Sequence, residues 1–264
     1  MKKLLALLAL AVLAVVADTA SNPAQAQIAN INDAINKSGS LRYTANRLAK
    51  AYFQIGMGID AERSKRILDS AIGMFDRRVV ELKNYSPTPE IRETYLSLEK
   101  AWGGYKDLLV GAKPNQENGR KILEVSEEVV NIANKATGQL AAHSGTTQGN
   151  LVNISGRQRM LSQRIAKYAQ ALAWGVAPAG AQGEIDKSRA EFVQKLGELS
   201  AAQINTPQIK DELELGKQQW MFFDAALTGK GGDRKTSSTN IATTSERILE
   251  VMDNVVGMYE KLLK

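Results

Sequence analysis

From about residue 28 onward, apolar residues recur at spacings of three and four, and sustained alternation of apolar and polar positions is nearly absent. A 3.6-residue period without a two-residue period predicts helices and no sheet. Clusters of turn formers interrupt the pattern at residues 84–89, 111–115, 144–149, 176–180, 205–207 and 229–233. Between such breakers the pattern predicts eight helices, over 28–56, 60–83, 89–110, 118–142, 150–175, 182–202, 207–227 and 240–263.

The first and fifth of these segments resemble one another. Residues 36–58 read NKSGSLRYTANRLAKAYFQIGMG and residues 153–175 read NISGRQRMLSQRIAKYAQALAWG. At a constant offset of 117, Asn36/Asn153, Ser38/Ser155, Gly39/Gly156, Arg42/Arg159, Arg47/Arg164, Ala49/Ala166, Lys50/Lys167 and Gly58/Gly175 are identical. The likeness continues through Phe75/Phe192 and Leu82/Leu199, then at offset 118 through Thr88-Pro89/Thr206-Pro207 and Trp102/Trp220. Near the end, Ile122-Leu123-Glu124-Val125 matches Ile248-Leu249-Glu250-Val251, with Val129-Val130 against Val255-Val256. A match that persists across several helices marks a duplicated unit. The fold expected is all-α, two tandem four-helix-bundle repeats packed about a pseudo-twofold axis, with units at 27–145 and 146–264.

On a helical wheel, Leu161, Ile165, Tyr168 and Leu172 form one apolar stripe, extended by Leu151 and Ile154, and this stripe is the core of its own bundle. Arg157 and Arg164 share a flank of it. Arg159 lies about 150° away and faces out of the bundle. Around Arg159 gather Val152, Ser155, Gly156, Gln163, Ala166, Gln170 and Ala173; the first copy matches with Ile35, Ser38, Gly39, Arg42, Asn46, Ala49, Phe53 and Gly56. Small and neutral residues allow close helix approach, whereas solvated faces carry interspersed Glu and Lys. If the two faces meet, Arg42 and Arg159 converge. A bound oxyanion would then offset the cost of burying like charges, and a guanidinium presents paired N–H donors to it. The wheel alone equally allows both arginines to pair with carboxylates or to lie in water.

The N-terminus changes the picture of where this chain works. Lys2 and Lys3 precede an apolar run from Leu4 to Ala17, and a polar stretch ends in Ala24-Gln25-Ala26. Basic start, short apolar core and small-x-small site make a signal peptide over 1–26, with a periplasmic or secreted mature chain. An uncleaved anchor is the alternative, although fourteen apolar residues are short of the roughly 20 that span a bilayer. Cleavage removes Lys2, Lys3 and Asp18 from a chain of 264 residues and net charge +6, leaving +5. Mild basicity suits an anionic partner, and export argues against nucleic acid. The sequence contains no cysteine and a single histidine, His143. No disulfide, cofactor or metal is therefore expected, and no enzyme: a di-metal bundle needs Glu-x-x-His pairs, and Leu140 stands where one would need Glu. Glu127 and Glu128 read as a solvated face, and Trp102 and Trp220 as core aromatics.

The segment Asn36-Lys37-Ser38-Gly39-Ser40-Leu41-Arg42, with Arg47 five residues on, resembles the P-box of the periplasmic sensor domain of nitrate/nitrite sensor kinases. Residues 154–164, Ile-Ser-Gly-Arg-Gln-Arg-Met-Leu-Ser-Gln-Arg, resemble the related PilJ-type N-terminal domain of type IV pilus methyl-accepting transducers. Residues 43–46 and 160–163 differ from the kinase pattern. The resemblance implies a dimerising four-helix bundle that binds nitrate or nitrite between P-box helices. It implies Gly39, Arg42, Gly156 and Arg159 as ligand contacts, and Arg47 and Arg164 as the second P-box arginines. By their place near the core flank, Arg47, Arg157 and Arg164 are expected to support the site through carboxylate pairs. The expected function is a free-standing, internally duplicated sensor module for a small oxyanion, working with a membrane sensor or chemoreceptor. The alternative is a periplasmic adaptor that docks to pilus, chemoreceptor or sensor-kinase components without a small ligand, with segments 118–142 and 240–263 as candidate surfaces.

Overall fold

The computed structural model describes residues 28–229 and 233–262, so the signal peptide expected over 1–26 lies outside the described residues. Among the described residues there are eight helices and no strand: α1 Ile31–Met57, α2 Ala61–Tyr85, α3 Pro89–Gly111, α4 Gln116–Ser144, α5 Thr147–Trp174, α6 Ala181–Ser200, α7 Pro207–Thr228 and α8 Arg234–Glu260.

Their ends follow from local chemistry that the two halves share. Thr88 and Thr206 cap α3 and α7 through their hydroxyls, each followed by proline at the first helical position, where the missing N–H costs nothing. Gly58 and Gly175 close α1 and α5 at φ 68° and 77°, a left-handed conformation in which a Cβ would be strained. Between the halves, Gly145 ends α4 and the Thr146 hydroxyl starts α5. The largest departure from the sequence expectation is α8, which begins at Arg234 and not near 240. The Asp233 carboxylate accepts from the Thr236 N–H. That cap carries the helix through Thr236–Asn240, residues whose weak propensity reads as loop.

In the first unit α1 packs on α2 and α4, with α3 against α4; in the second, α5 packs on α6 and α8, with α7 against α8. The most extensive packing of all is α1 on α5, and the reciprocal contacts α1 on α8 and α4 on α5 complete a twofold-related arrangement. Being central explains the composition of these two helices. Every residue from Ser38 to Gln54 except Arg47 is buried, so α1 has no solvated face to mark it as amphipathic. Stacked pairs Phe75–Trp102 and Phe192–Trp220, with ring centroids 4.0 and 4.3 Å apart, anchor α2 to α3 and α6 to α7.

Leu172, assigned to the core stripe of α5, is 43% exposed. It sits in the last turn, where the bundle opens into a cleft lined also by Ile185, Leu227 and Ile241. The match of Ile122–Val125 to Ile248–Val251 is one heptad out of register. The lysine and arginine clamps described below pair Ser126 with Ser245 and Glu127 with Glu246, an offset of 119 against the 126 read from sequence. A slip of seven residues returns apolar positions to the same helix face, so hydrophobicity cannot distinguish the two registers.

Trp174 supplies a feature without an equivalent in the first half, where Met57 stands 117 residues earlier. Its ring packs near Tyr52 and Phe53 and lies over Gly56 of α1 and Gly119 of α4. A Cβ on Gly119 would come 2.6 Å from the ring. Gly119→Ala should therefore destabilise by about 1–3 kcal/mol through overpacking, against the helix propensity that favours alanine. Gly103→Ala, where a Cβ meets nothing within 4 Å, should stabilise by about 0.5–1 kcal/mol. Urea unfolding of both variants checks this, and equal stabilisation by the two would contradict the wedge.

Candidate functional site

Where α1 crosses α5, the close approach is made by Gly39 and Gly156. A Cβ built on either would lie 3.1 Å from Arg42 Nη2 and 3.5 or 3.4 Å from Arg159 Nη2. Both guanidinium tips thus rest against both glycines, and both arginines are only 1% exposed. Each reaches across the seam. Arg42 Nη1 donates to Asn153 Oδ1 at 3.0 Å, and Nη2 to the Asn153 carbonyl at 3.2 Å. Arg159 Nη2 donates to Asn36 Oδ1 at 2.8 Å and to the Asn36 carbonyl at 3.3 Å. The acceptors are the same two, exchanged between copies, with Arg42 using both Nη atoms and Arg159 only Nη2.

The outer ends of the two arginines differ. Arg42 Nη1 also donates to Asn134 Oδ1 at 3.3 Å, an oxygen it shares with Arg157. Arg159 Nη1 donates to the Asp253 carboxylate, and its guanidinium lies 5.1 Å from the Tyr43 ring centre. All the Arg42 partners are therefore neutral oxygens, whereas Arg159 holds a formal anion. Burial first, then the positive charges of Arg157 and Arg159, pull the Arg42 pKa down to about 9. A guanidinium keeps its proton under ordinary conditions, so this lowering registers as strain on a buried charge. The Nε of each arginine is buried without a partner. On the outer side of Asn134 and Arg157, a polar cleft of about 180 Å³ opens between α4, α5 and α6.

Around this crossing stand two charge clamps. Arg47 and Lys50 of α1 grip Glu246 of α8, Lys50 Nζ at 2.6 Å from the carboxylate and 3.0 Å from Ser245 Oγ. Arg164 and Lys167 of α5 grip Glu127 of α4, with Arg164 also 2.8 Å from Glu184 and Lys167 Nζ 3.1 Å from Ser126 Oγ. Each Arg-x-x-Lys thus holds the last helix of the other unit. Glu127, read from sequence as part of a solvated face, is here a largely covered anion, because α5 brings two cations onto it. Arg157, which has Ser40 as its counterpart, pairs with Glu191 in its own unit.

The structure brings Gly39, Arg42, Gly156 and Arg159 together at one point and places Arg47, Arg157 and Arg164 around it. Ser38 and Ser155, put on the same face by the wheel, turn elsewhere: Ser38 Oγ meets Thr137 and Tyr95, and Ser155 Oγ donates to the Leu151 carbonyl. Sequence reasoning missed Asn36 and Asn153, although their identity in the repeat was visible. It missed the buried Lys50 and Lys167 as well. Asn134 and Asp253 carried no signal, since the heptad slip hid their equivalence.

The chain matches the PilJ family, described as "Type IV pili methyl-accepting chemotaxis transducer N-term", over residues 9–125 and again over 141–251. No curated protein and no solved structure matches it. The two matched segments cover α1 to α4 up to Val125 and α5 to α8 up to Val251, and the first begins inside the N-terminal apolar run.

Burial alone would raise the Glu246 carboxyl, but the charges of Lys50 and Arg47, with their hydrogen bonds, hold it at about 2 against an ordinary 4.5. Between those values the folded state binds fewer protons than the unfolded chain. Stability present above pH 4.5 is therefore lost as pH falls through that window toward about 2. Glu246→Gln should cost about 3 kcal/mol at pH 7, because Lys50 is left buried without its anion, and should flatten this acid limb. Urea melts across pH check both. An unchanged acid limb would contradict the clamp.

Proposed function

The chain belongs to the PilJ family in two tandem copies, and on that premise we propose that it is an exported, non-enzymatic sensor-type module for a small oxyanion. Nitrate or nitrite binds between α1 and α5, which serve as paired P-box helices. Gly39, Arg42, Gly156 and Arg159 make the contacts, and Arg47, Arg157 and Arg164 hold the helices that present them.

One observation carries this reading: two almost fully buried guanidiniums meet between two glycines, and one of them, Arg42, has only neutral partners. Like charges desolvated side by side cost several kcal/mol, and an anion between them offsets that cost. A planar oxyanion accepts in-plane bonds from guanidinium forks, and the absence of a Cβ at residues 39 and 156 lets both forks come to one point. The duplication supplies in one chain the paired helices that the resemblance assigns to a dimer.

The N-terminal pattern supports export with cleavage near Ala26, and none of the described helices is long and apolar enough to cross a membrane. A membrane sensor or chemoreceptor is the partner that fits such a module. A second reading, an adaptor that docks without a small ligand, is favoured by α7, where Leu215, Met221 and Phe222 are exposed. The equivalent places on α3 hold Ser97, Gly103 and Gly104, so only the second unit presents this stripe.

Calorimetric titration of the mature chain with nitrate, nitrite and chloride tests the proposal. Wild type should bind nitrate or nitrite in preference to chloride, and Arg42→Ala should weaken that binding by about a hundredfold or more, the scale for losing a buried charged contact. Wild type binding none of the three, or Arg42→Ala binding as well as wild type, would favour the adaptor.

A further inference from the structure

The two halves of the arginine site are alike in shape and unlike in charge. Asn134 and Asp253 stand 119 residues apart, the same offset as Ser126/Ser245 and Glu127/Glu246. Both are exposed, both lie on the last helix of their unit, and each meets Nη1 of its own unit's buried arginine. At Arg42 that partner is an amide oxygen. At Arg159 it is a carboxylate, 57% exposed, held against a guanidinium that is 1% exposed. The protein thus neutralises one of its two converging cations itself and leaves the other without a counter-charge in direct contact. The unpartnered, buried Nε atoms of both arginines are further donors that these contacts leave unused.

Resting on the oxyanion reading above, we propose that Asp253 is a built-in competitor for the ligand and sets the affinity of the site. Arg42 is the primary anion contact, because its hydrogen-bond partners are all neutral oxygens. An anion that engages both guanidiniums must share Arg159 with the Asp253 carboxylate or displace it. Displacement is inexpensive on the aspartate side, since a carboxylate more than half exposed returns to water readily. On the ligand side the cost is larger, since two anions on one desolvated guanidinium repel at short range. The amide at residue 134 imposes no such cost. The difference between two equivalent positions, one neutral and one charged, therefore tunes a site whose geometry the repeat supplies.

The test is nitrate titration by calorimetry, at fixed ionic strength, of the mature wild type, Asp253→Asn, Asp253→Ala and Asn134→Asp, with thermal melts to establish folding. Asp253→Asn and Asp253→Ala should each bind nitrate roughly tenfold or more tightly than wild type, and Asn134→Asp roughly tenfold more weakly. The alanine variant separates loss of charge from gain of an amide. If wild type binds nitrate in an Arg42-dependent way and both Asp253 variants bind no more tightly, the inference is overturned and the oxyanion site stands. If wild type does not bind, inference and reading fall together.

Discussion

The meeting of Arg42 and Arg159 between Gly39 and Gly156 is the constraint around which the other contacts are arranged. Two cations desolvated at one point repel, and the chain accommodates them in three ways. Two glycines let the backbones close on the guanidiniums with no Cβ in between. The first residue of each repeated motif, Asn36 or Asn153, gives the opposing arginine both a side-chain and a backbone oxygen. The third is mechanical: Arg47 with Lys50 and Arg164 with Lys167 fasten each central helix to the far unit through Glu246 and Glu127. Without those clamps, the repulsion at the crossing would act directly on the α1–α5 contact.

Placing both copies in one chain has its own consequence. In a homodimer, a substitution appears on both sides of the axis, so the two halves of a shared site stay identical. Here they have separated. Asn134 stands opposite Asp253, Ser40 opposite Arg157, and Gly103-Gly104 opposite Met221-Phe222. The central contacts kept their symmetry, while the rim of the site and the outer surface of the second unit did not. The covalent link also makes the pairing of α1 with α5 independent of protein concentration.

Much of this was legible in the sequence, for identifiable reasons. Helices showed through period and through caps whose chemistry is local, such as Thr88-Pro89 and Thr206-Pro207. The repeat showed because Ser-Gly-x-x-Arg recurs with flanking identities at a constant offset. What stayed hidden depends on three-dimensional register or on partners distant in the chain. A heptad slip conceals the equivalence of α4 and α8, and with it Asn134 and Asp253. Glu127 looks like any exposed acid until α5 lays Arg164 and Lys167 over it. Leu172 satisfies the wheel, but the wheel does not know where a bundle ends. The start of α8 was missed because Thr236–Asn240 are poor helix formers whose one advantage is the carboxylate of Asp233.

On the function proposed above, a planar oxyanion relieves the charge strain at the α1–α5 crossing. Hydrogen exchange of backbone amides, compared in nitrate and in an equal concentration of fluoride, addresses it most directly. Exchange should slow in nitrate chiefly in the turns of α1 and α5 around Gly39–Arg42 and Gly156–Arg159, with α3 and α7 unchanged. Exchange that is identical in the two salts, or slowed evenly over all eight helices, would contradict it.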